Sequence, residues 1–374
     1  MWSSRARNLQ EHPIDPKRLR LRDIAQTTIK ALNDGYVDFP DSNSNMRLTR
    51  HSIRQSADDT VHGTEYFKHD STRLKSWWKG PPPDVAAERH GNQSGVAVQI
   101  LNMTTLQGAH FLSQKHPAFK IGVLNFASAT QPGGGFINGA SAQEESIARS
   151  STLYLSLQTP KARPFYELHD RDNKGGYYSH AMIYSPSVAI FRDDSGGWLC
   201  PYHVDIVTSP AVNAGLVRKL SYGRWSDTKR KILYEMKERM GRILHLFERS
   251  GSRHLVLGSF GTGVFQNDVG SLAKIWGELL APGARFANSF DEVVFAIPDG
   301  HTRRKFRTSF DAAAHPPFPR MWLAAVCLCL LLLLYGIFVP GWNVEVLCVL
   351  YLYHTAIVHF SVVVTFRVQA LSSL

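Results

Sequence analysis

Glu144 and Glu145 are neighbouring carboxylates of a Gln143-Glu144-Glu145 triplet that follows three consecutive glycines, Gly133-Gly134-Gly135, after a spacer of seven residues. Paired carboxyl groups suit general acid–base work, in which one group protonates a leaving oxygen and later takes a proton from water. Three adjacent glycines suit a backbone that must come very close to a ligand, because any side chain would occupy that space. The apolar run 121–126 reads as a buried strand, and Gln143 opens a helical pattern. The glycines therefore follow the carboxyl end of a strand, where ligands sit in open α/β sheets. A purely local reading competes for one carboxylate. Ser141-Ala142-Gln143-Glu144 matches a capping box, with Ser141 as N-cap and Glu144 at the third helical position. That reading leaves Glu145 and the glycine triplet without a role.

A second glycine-rich turn, Gly258-Ser259-Phe260-Gly261-Thr262-Gly263-Val264-Phe265, lies between a strand pattern at 254–257 and a helix for which Asp268 is the expected cap. A strand, a glycine loop and a helix N-terminus together present free backbone N–H groups to an anion. The turn is neither a Walker A loop nor GxGxxG, and a tight strand-to-helix connection explains it equally well. Neither HExxH nor CxxC occurs, and His203, His245 and His254 read as core or surface residues. No metal and no cofactor is expected.

The elements that must position these groups follow from apolar periodicity. Strand patterns occur at 95–101, 121–126, 204–208, 254–257 and 293–297, with 181–184 and 188–191 as a hairpin pair. Helical patterns lie at 143–155, 229–247 and 269–280. Strands alternating with helices of this length imply crossover units, a mostly parallel sheet and helices on both faces. Upstream, a basic stretch at 13–22 leads into a short helix with Ile24, Ile29 and Leu32 on one face, ended at Asn33-Asp34-Gly35. Residues 41–60 are polar and read as partly loop, and Lys79-Gly80-Pro81-Pro82-Pro83 marks a linker.

Composition is that of a globular protein: 374 residues, 44% hydrophobic and 20% charged, with a formal charge of +11. This excludes a disordered or fibrous chain. Cys200, Cys327, Cys329 and Cys348 make no disulfide scaffold, which fits a reducing compartment. No apolar segment follows the basic N-terminal residues, so no secretory signal is expected. The positive excess lies wholly before residue 321 and favours anionic partners. From 321 to 339 the chain is continuously uncharged and long enough to cross a bilayer. A second apolar run at 342–366 contains Glu345, His354 and His359 and reads as a possible second membrane segment. Arg303, Arg304, Lys305, Arg307 and Arg320 precede the first run, which places the globular part on the cytosolic or nuclear side.

The Gly133-Gly134-Gly135 and Gln143-Glu144-Glu145 pairing resembles the signature of poly(ADP-ribose) glycohydrolases. Asn125-Phe126-Ala127, Gln131-Pro132 and Gly261-Thr262-Gly263-Val264-Phe265 are similar to the compact microbial-type branch. The likeness runs from about Leu19 to Ile297 and leaves the tail beyond about Lys305 uncovered. It implies a macrodomain-like three-layer α/β/α sandwich that binds ADP-ribose. The implied organisation is a basic N-terminal extension over 1–94 packed on a catalytic domain at 95–305. A linker at 306–320 and the two apolar segments follow.

The same resemblance assigns roles residue by residue. Glu145 would be the catalytic acid, and Glu144 would hydrogen-bond ribose hydroxyls. Gly133, Gly134 and Gly135 would pass close to the diphosphate and proximal ribose, and Asn125 would contact the ribose of the scissile unit. Gln143 belongs to the same substrate-binding set. Gly261, Thr262, Gly263 and Val264 would cradle the diphosphate, and Phe265 would position the terminal ribose. Phe126 and Tyr154 are the candidates for stacking on adenine. The implied activity is hydrolysis of ribose–ribose O-glycosidic bonds in poly(ADP-ribose), through an oxocarbenium-like transition state. Glu145 is expected to take up its proton once substrate fills the cleft, since burial, Glu144 and the diphosphate all favour the acid form. Removal of single ADP-ribose units and ADP-ribose binding without turnover are the alternatives. Partners are then poly(ADP-ribose) or ADP-ribosylated proteins and a membrane, with a monomeric chain and no sequence-specific nucleic acid.

Overall fold

The first helix, α1 (Pro16–Asp34), shows how local chemistry sets an element here. Asp15 accepts a hydrogen bond from the Lys17 N–H, proline occupies the start, and Gly35 closes the helix in the left-handed region at φ 79°. In this computed structural model the described residues are 15–41, 44–80, 95–221 and 225–315, and they belong to one compact unit. After α1 come β1 (Tyr36–Asp41), β2 (Ser44–Ser52), α2 (Arg54–Gly63), β3 (Glu65–Phe67), α3 (Thr72–Lys75) and β4 (Ala97–Leu101). Then follow α4 (Thr105–Lys115), β5 (Ile121–Phe126), α5 (Gln143–Ser150), α6 (Leu153–Leu157), α7 (Arg163–Arg171), β6 (Met182–Arg192) and β7 (Trp198–Ser209). The chain continues through α8 (Ala214–Leu220), α9 (Trp225–Arg249), β8 (His254–Leu257), α10 (Val269–Leu280), β9 (Glu292–Ala296) and α11 (Gly300–Ala314).

Seven strands form one sheet in the order β3-β6-β7-β5-β8-β9-β4, and β1 and β2 form a separate hairpin. From β7 through β4 every neighbouring pair is parallel, while β3 and β6 run antiparallel to their neighbours. Successive strand residues feed two cores. Leu124, Val207, Leu255, Val293 and Phe295 pack with α9, α10 and α11. Val123, Ile206, Val256 and Val294 pack with α4 to α7. This two-residue alternation, with apolar residues on both sides, gives three layers with helices on both faces.

Several sequence expectations need correction. The segments 181–184 and 188–191 are not the two arms of a hairpin. They lie on one strand, β6, whose partner is β7. Pro186 and Ser187 are absorbed by a bulge at positive φ (53° at Ser187), and the Ser187 N–H reaches Asp205 Oδ1 at 3.0 Å. The helix expected over 143–155 breaks at Ser151, which turns extended so that the Thr152 N–H can reach the Ala189 carbonyl on β6. Residues 41–60 form most of a hairpin and a helix rather than a loop. Val37 and Ile53 are buried there against Ala189 and Phe191 of β6.

The first 94 residues also contribute more than a packed extension, since β3 extends the sheet beside β6. At the other end, α11 runs to Ala314 with Phe306 and Phe310 buried, so residues 306–314, expected as linker, are helical. Among the described residues no helix is long and apolar enough to cross a membrane. The segments 321–339 and 342–366, and the prolines at 81–83, lie outside the described residues.

Candidate active site

The site is built where β5 ends and α5 begins. Gln143 joins the two: its Oε1 accepts the Phe126 N–H at 2.8 Å, and its Nε2 donates to the Leu124 carbonyl at 2.8 Å and Thr105 Oγ1 at 3.2 Å. Both ends of its amide are thus engaged by the protein, and the side chain pins the first turn of α5 to the strand end. The capping box does not form. The N-cap is Ala142, which has no side chain to accept a backbone N–H, and Ser141 is exposed. Released from a capping role, Glu144 turns inward. Its Oε2 accepts the Ser128 N–H at 2.6 Å, and its Oε1 lies 3.4 Å from Asn125 Nδ2.

Glu145 sits against the glycine triplet. Its Oε1 accepts the Gly135 N–H at 3.0 Å, and its Oε2 is buried without a hydrogen-bond partner. The residue is 8% exposed and Glu144 is 3% exposed, so both carboxyl groups are largely withdrawn from water. Gly134 has φ +58°, and a methyl group there would lie 2.3 Å from Glu145 Oε1 and 3.2 Å from Glu144 Oε2. Its lack of a side chain lets the backbone approach the carboxylates themselves, not only a ligand.

Helix α1 braces this loop from outside. Arg18 Nε donates to the Asn138 carbonyl at 2.9 Å, and Thr28 Oγ1 donates to the Arg149 carbonyl at 2.6 Å. Arg149 reaches back to the Ala140 carbonyl, and Phe136 packs with Ala25 and Ala148. Neither Ser128 nor Arg149 was recognisable from motif or spacing.

Burial is the main force on the pair's protonation. It pushes the Glu144 carboxyl up to about 8, and the charge of Glu145 adds to the effect. The Ser128 and Asn125 hydrogen bonds oppose it and are outweighed. The start of α5 also favours ionisation, by about 0.3–1 kcal/mol for an exposed group, less than burial at this depth. At neutral pH the Glu144 carboxyl is therefore largely protonated.

The second glycine turn leaves β8 beside the first, since β8 and β5 are adjacent and parallel. Its glycines differ in role. A methyl at Gly261 would meet Ala211 Cβ at 2.3 Å and Asn267 Nδ2 at 2.9 Å, so this glycine serves close packing. Gly263 has nothing within 4 Å of that position and faces open space. Thr262 Oγ1 donates to Ser259 Oγ at 2.8 Å, Val264 is 83% exposed, and the Phe265 ring lies 5.9 Å from that of Tyr178. Asp268 caps α10 as expected, accepting the Ser271 N–H at 2.8 Å.

Phe126 packs on Phe260 with ring centroids 5.7 Å apart, and Tyr154 packs edge-on against Phe136 at 4.8 Å. At the common strand end, Asn125 Oδ1, Glu145 Oε2 and Ser209 Oγ are buried without partners. A ligand rich in hydroxyls supplies the partners that such groups otherwise lack, at a cost of about 1–3 kcal/mol each.

The family described as "Microbial-type PARG, catalytic domain" matches residues 25–193. The poly(ADP-ribose) glycohydrolase of Thermomonospora curvata is 34% identical, covering 77% of this chain and 98% of its own, with a TM-score of 0.67. The same enzyme bound to the inhibitor ADP-HPD gives 33% identity, the same coverages and a TM-score of 0.65. The Deinococcus radiodurans glycohydrolase in complex with ADP-ribose is 34% identical over 69% of this chain and 98% of its own, with a TM-score of 0.58. No curated protein matches. Nearly the whole length of these enzymes is therefore present here at about one residue in three identical, and the chain belongs to the microbial-type poly(ADP-ribose) glycohydrolase family.

Proposed function

We infer that this chain hydrolyses the ribose–ribose O-glycosidic bonds of poly(ADP-ribose) and releases ADP-ribose, with Glu145 as acid and then base. The observation that carries this reading is the division of labour at Glu145. One oxygen is held by the Gly135 N–H, and the other is buried and uncommitted beside a carboxyl that holds a proton. Family membership supplies the substrate class.

The chemistry runs in two steps. Glu145 gives a proton to the bridging ribose oxygen as the bond to the anomeric carbon breaks, leaving an oxocarbenium-like centre. Water then adds to that carbon and gives its proton to Glu145, restoring the acid. Gly135 holds Glu145 in place throughout. Asn125 Oδ1 and Glu144 receive ribose hydroxyls at the scissile unit. The open backbone at Gly263, with Thr262 and Val264, lies along the diphosphate, and Phe265 borders the terminal ribose. Gly261 and Gln143 act by holding the two loops in shape.

Radiolabelled polymer incubated with the native chain and with Glu145→Gln tests the assignment. The expected loss is about 10²–10⁴-fold in ADP-ribose release, the usual contribution of a positioned acid. Calorimetric ADP-ribose binding is expected to persist in the variant. Equal release by the two proteins would remove Glu145 from the mechanism, and binding by the native chain without any release would make the chain an ADP-ribose reader.

The uncharged run at 321–339 and the basic residues before it support attachment to a membrane, with the catalytic unit on the cytosolic or nuclear side. Carbonate-washed membrane fractions tests that attachment, and recovery of the whole chain in the wash would rule it out.

A further inference from the structure

The amino-terminal edge of the sheet, opposite the carboxylates, holds a cluster that the glycohydrolase chemistry does not use. β8 and β9 begin there with His254 and Glu292, which lie opposite each other in register. His116, just past the end of α4, completes a trio whose ligand-type atoms all lie within 4.8 Å of one another. His254 and Glu292 are 2% and 4% exposed. Glu292 Oε2 lies 2.9 Å from His116 Nε2 and 2.8 Å from Lys115 Nζ, and Gln99 Nε2 donates to Glu292 Oε1. The His116 and His254 rings stack at 3.8 Å, nearly parallel, with Phe119 edge-on to both.

His254 is the anomaly in this group. Both of its ring nitrogens are buried and neither has a hydrogen-bond partner. The Asp291 carboxylate stands 4.0 Å from its Nε2, too far for a hydrogen bond. A core histidine ordinarily finds at least one partner, as His169 does with Ser179 Oγ at 2.7 Å. Leaving both nitrogens dry is costly, and an electron-pair acceptor placed among the trio would relieve the cost.

We propose that His116, His254 and Glu292 bind a zinc ion, joining the end of α4 to the first residues of β8 and β9. Two imidazole nitrogens and one carboxylate oxygen suit zinc, and water can enter as fourth ligand on the half-buried His116 side. The 2.9 Å gap between His116 Nε2 and Glu292 Oε2 is near the roughly 3.3 Å that separates two ligands on one tetrahedral zinc. Lys115 yields its place on Glu292 to the metal. Its side chain is 45% exposed and swings into solvent. His116 turns partly out of the stack to aim its nitrogen at the ion.

The test uses the 374-residue chain, free of any affinity tag, purified in detergent and stripped with chelator. Zinc chloride alone is titrated by calorimetry, and cobalt(II) serves as a spectroscopic substitute. The expected results are one zinc per chain, a higher melting midpoint with zinc, and the strong visible absorption of tetrahedral cobalt. His116→Ala, at the least buried of the three positions, is expected to weaken binding at least tenfold while keeping the native circular dichroism. Glu292→Gln is expected to do the same. The proposal is overturned if binding is not stoichiometric, or if both folded variants bind zinc as the native chain does. The trio would then be a histidine stack and ion pair that needs no metal.

Discussion

A methyl group at position 134 is the smallest change that separates backbone from chemistry in this protein. It would lie 2.3 Å from Glu145 Oε1, and φ +58° there strains any residue but glycine, by about 1–2 kcal/mol. Gly134→Ala is expected to lower turnover at least a hundredfold, measured as ADP-ribose release from polymer, because Glu145 must leave the Gly135 N–H. Gly263→Ala is the matched control, since nothing lies within 4 Å of its methyl. Its melting midpoint should not change, while KM rises because the methyl enters the open space proposed above for the diphosphate. Native turnover in the first variant, or native KM in the second, would contradict these assignments.

The carboxyl pair also sets a pH dependence. Glu144 is pushed from 4.5 up to about 8, so it loses its proton only as pH passes about 8. kcat/KM measured from pH 6 to 10 should fall on the alkaline side near that value, and a flat profile would contradict it. For stability the sign follows from proton uptake. Between 4.5 and about 8 the folded chain holds a proton that the unfolded chain has lost, so Glu144 makes stability decline as pH rises through that window. Glu144→Gln should flatten that decline in melting curves.

At the scale of elements, the position of α5 is decided by contacts remote in sequence. Gln143 ties it to β5, Arg149 ties it to the loop, and α1 braces both through Thr28 and Arg18. Gln143→Leu fills similar volume but leaves the Phe126 N–H and the Leu124 carbonyl without their partner. About 1–3 kcal/mol for each group is the expected cost, at about 2–4 °C of melting midpoint per kcal/mol in a chain of moderate size. kcat should fall more than KM rises, because the proposed acid is displaced while the loop after β8 keeps its shape. A variant melting like the native protein would show that Gln143 does not hold the strand end to the helix.

For the whole molecule, the two cores on opposite faces of the sheet close with α11, whose Phe306 and Phe310 are buried. The folded unit is therefore complete at His315. Truncation after His315 should leave polymer hydrolysis within about twofold of the parent and move the protein from carbonate-washed membranes to the soluble fraction. A truncation at 305, the boundary that the resemblance implied, removes both phenylalanines. It should aggregate, because Phe→Ala in a core already costs about 3–5 kcal/mol per residue. A soluble, active protein ending at 305 would show that α11 is dispensable.

Much of this protein was legible without coordinates, for physical reasons. Buried parallel strands read as short apolar runs, so β5 and β8 were located to the residue. The triple glycine and the Gln-Glu-Glu triplet carried the resemblance to the poly(ADP-ribose) glycohydrolase family, to which the chain belongs. What sequence left open depended on contacts between distant segments. Whether Ser141 caps α5 turned on a one-residue shift of the N-cap to Ala142. The bulge at Pro186–Ser187 keeps the two segments read as a hairpin pair on one strand, and Asp205 on the neighbouring strand receives the Ser187 N–H. The raised Glu144 carboxyl, the free oxygen of Glu145 and the meeting of His116 with His254 exist only once the sheet has formed. Each depends on the exclusion of water, and that is a property of the packed molecule rather than of any stretch of its chain.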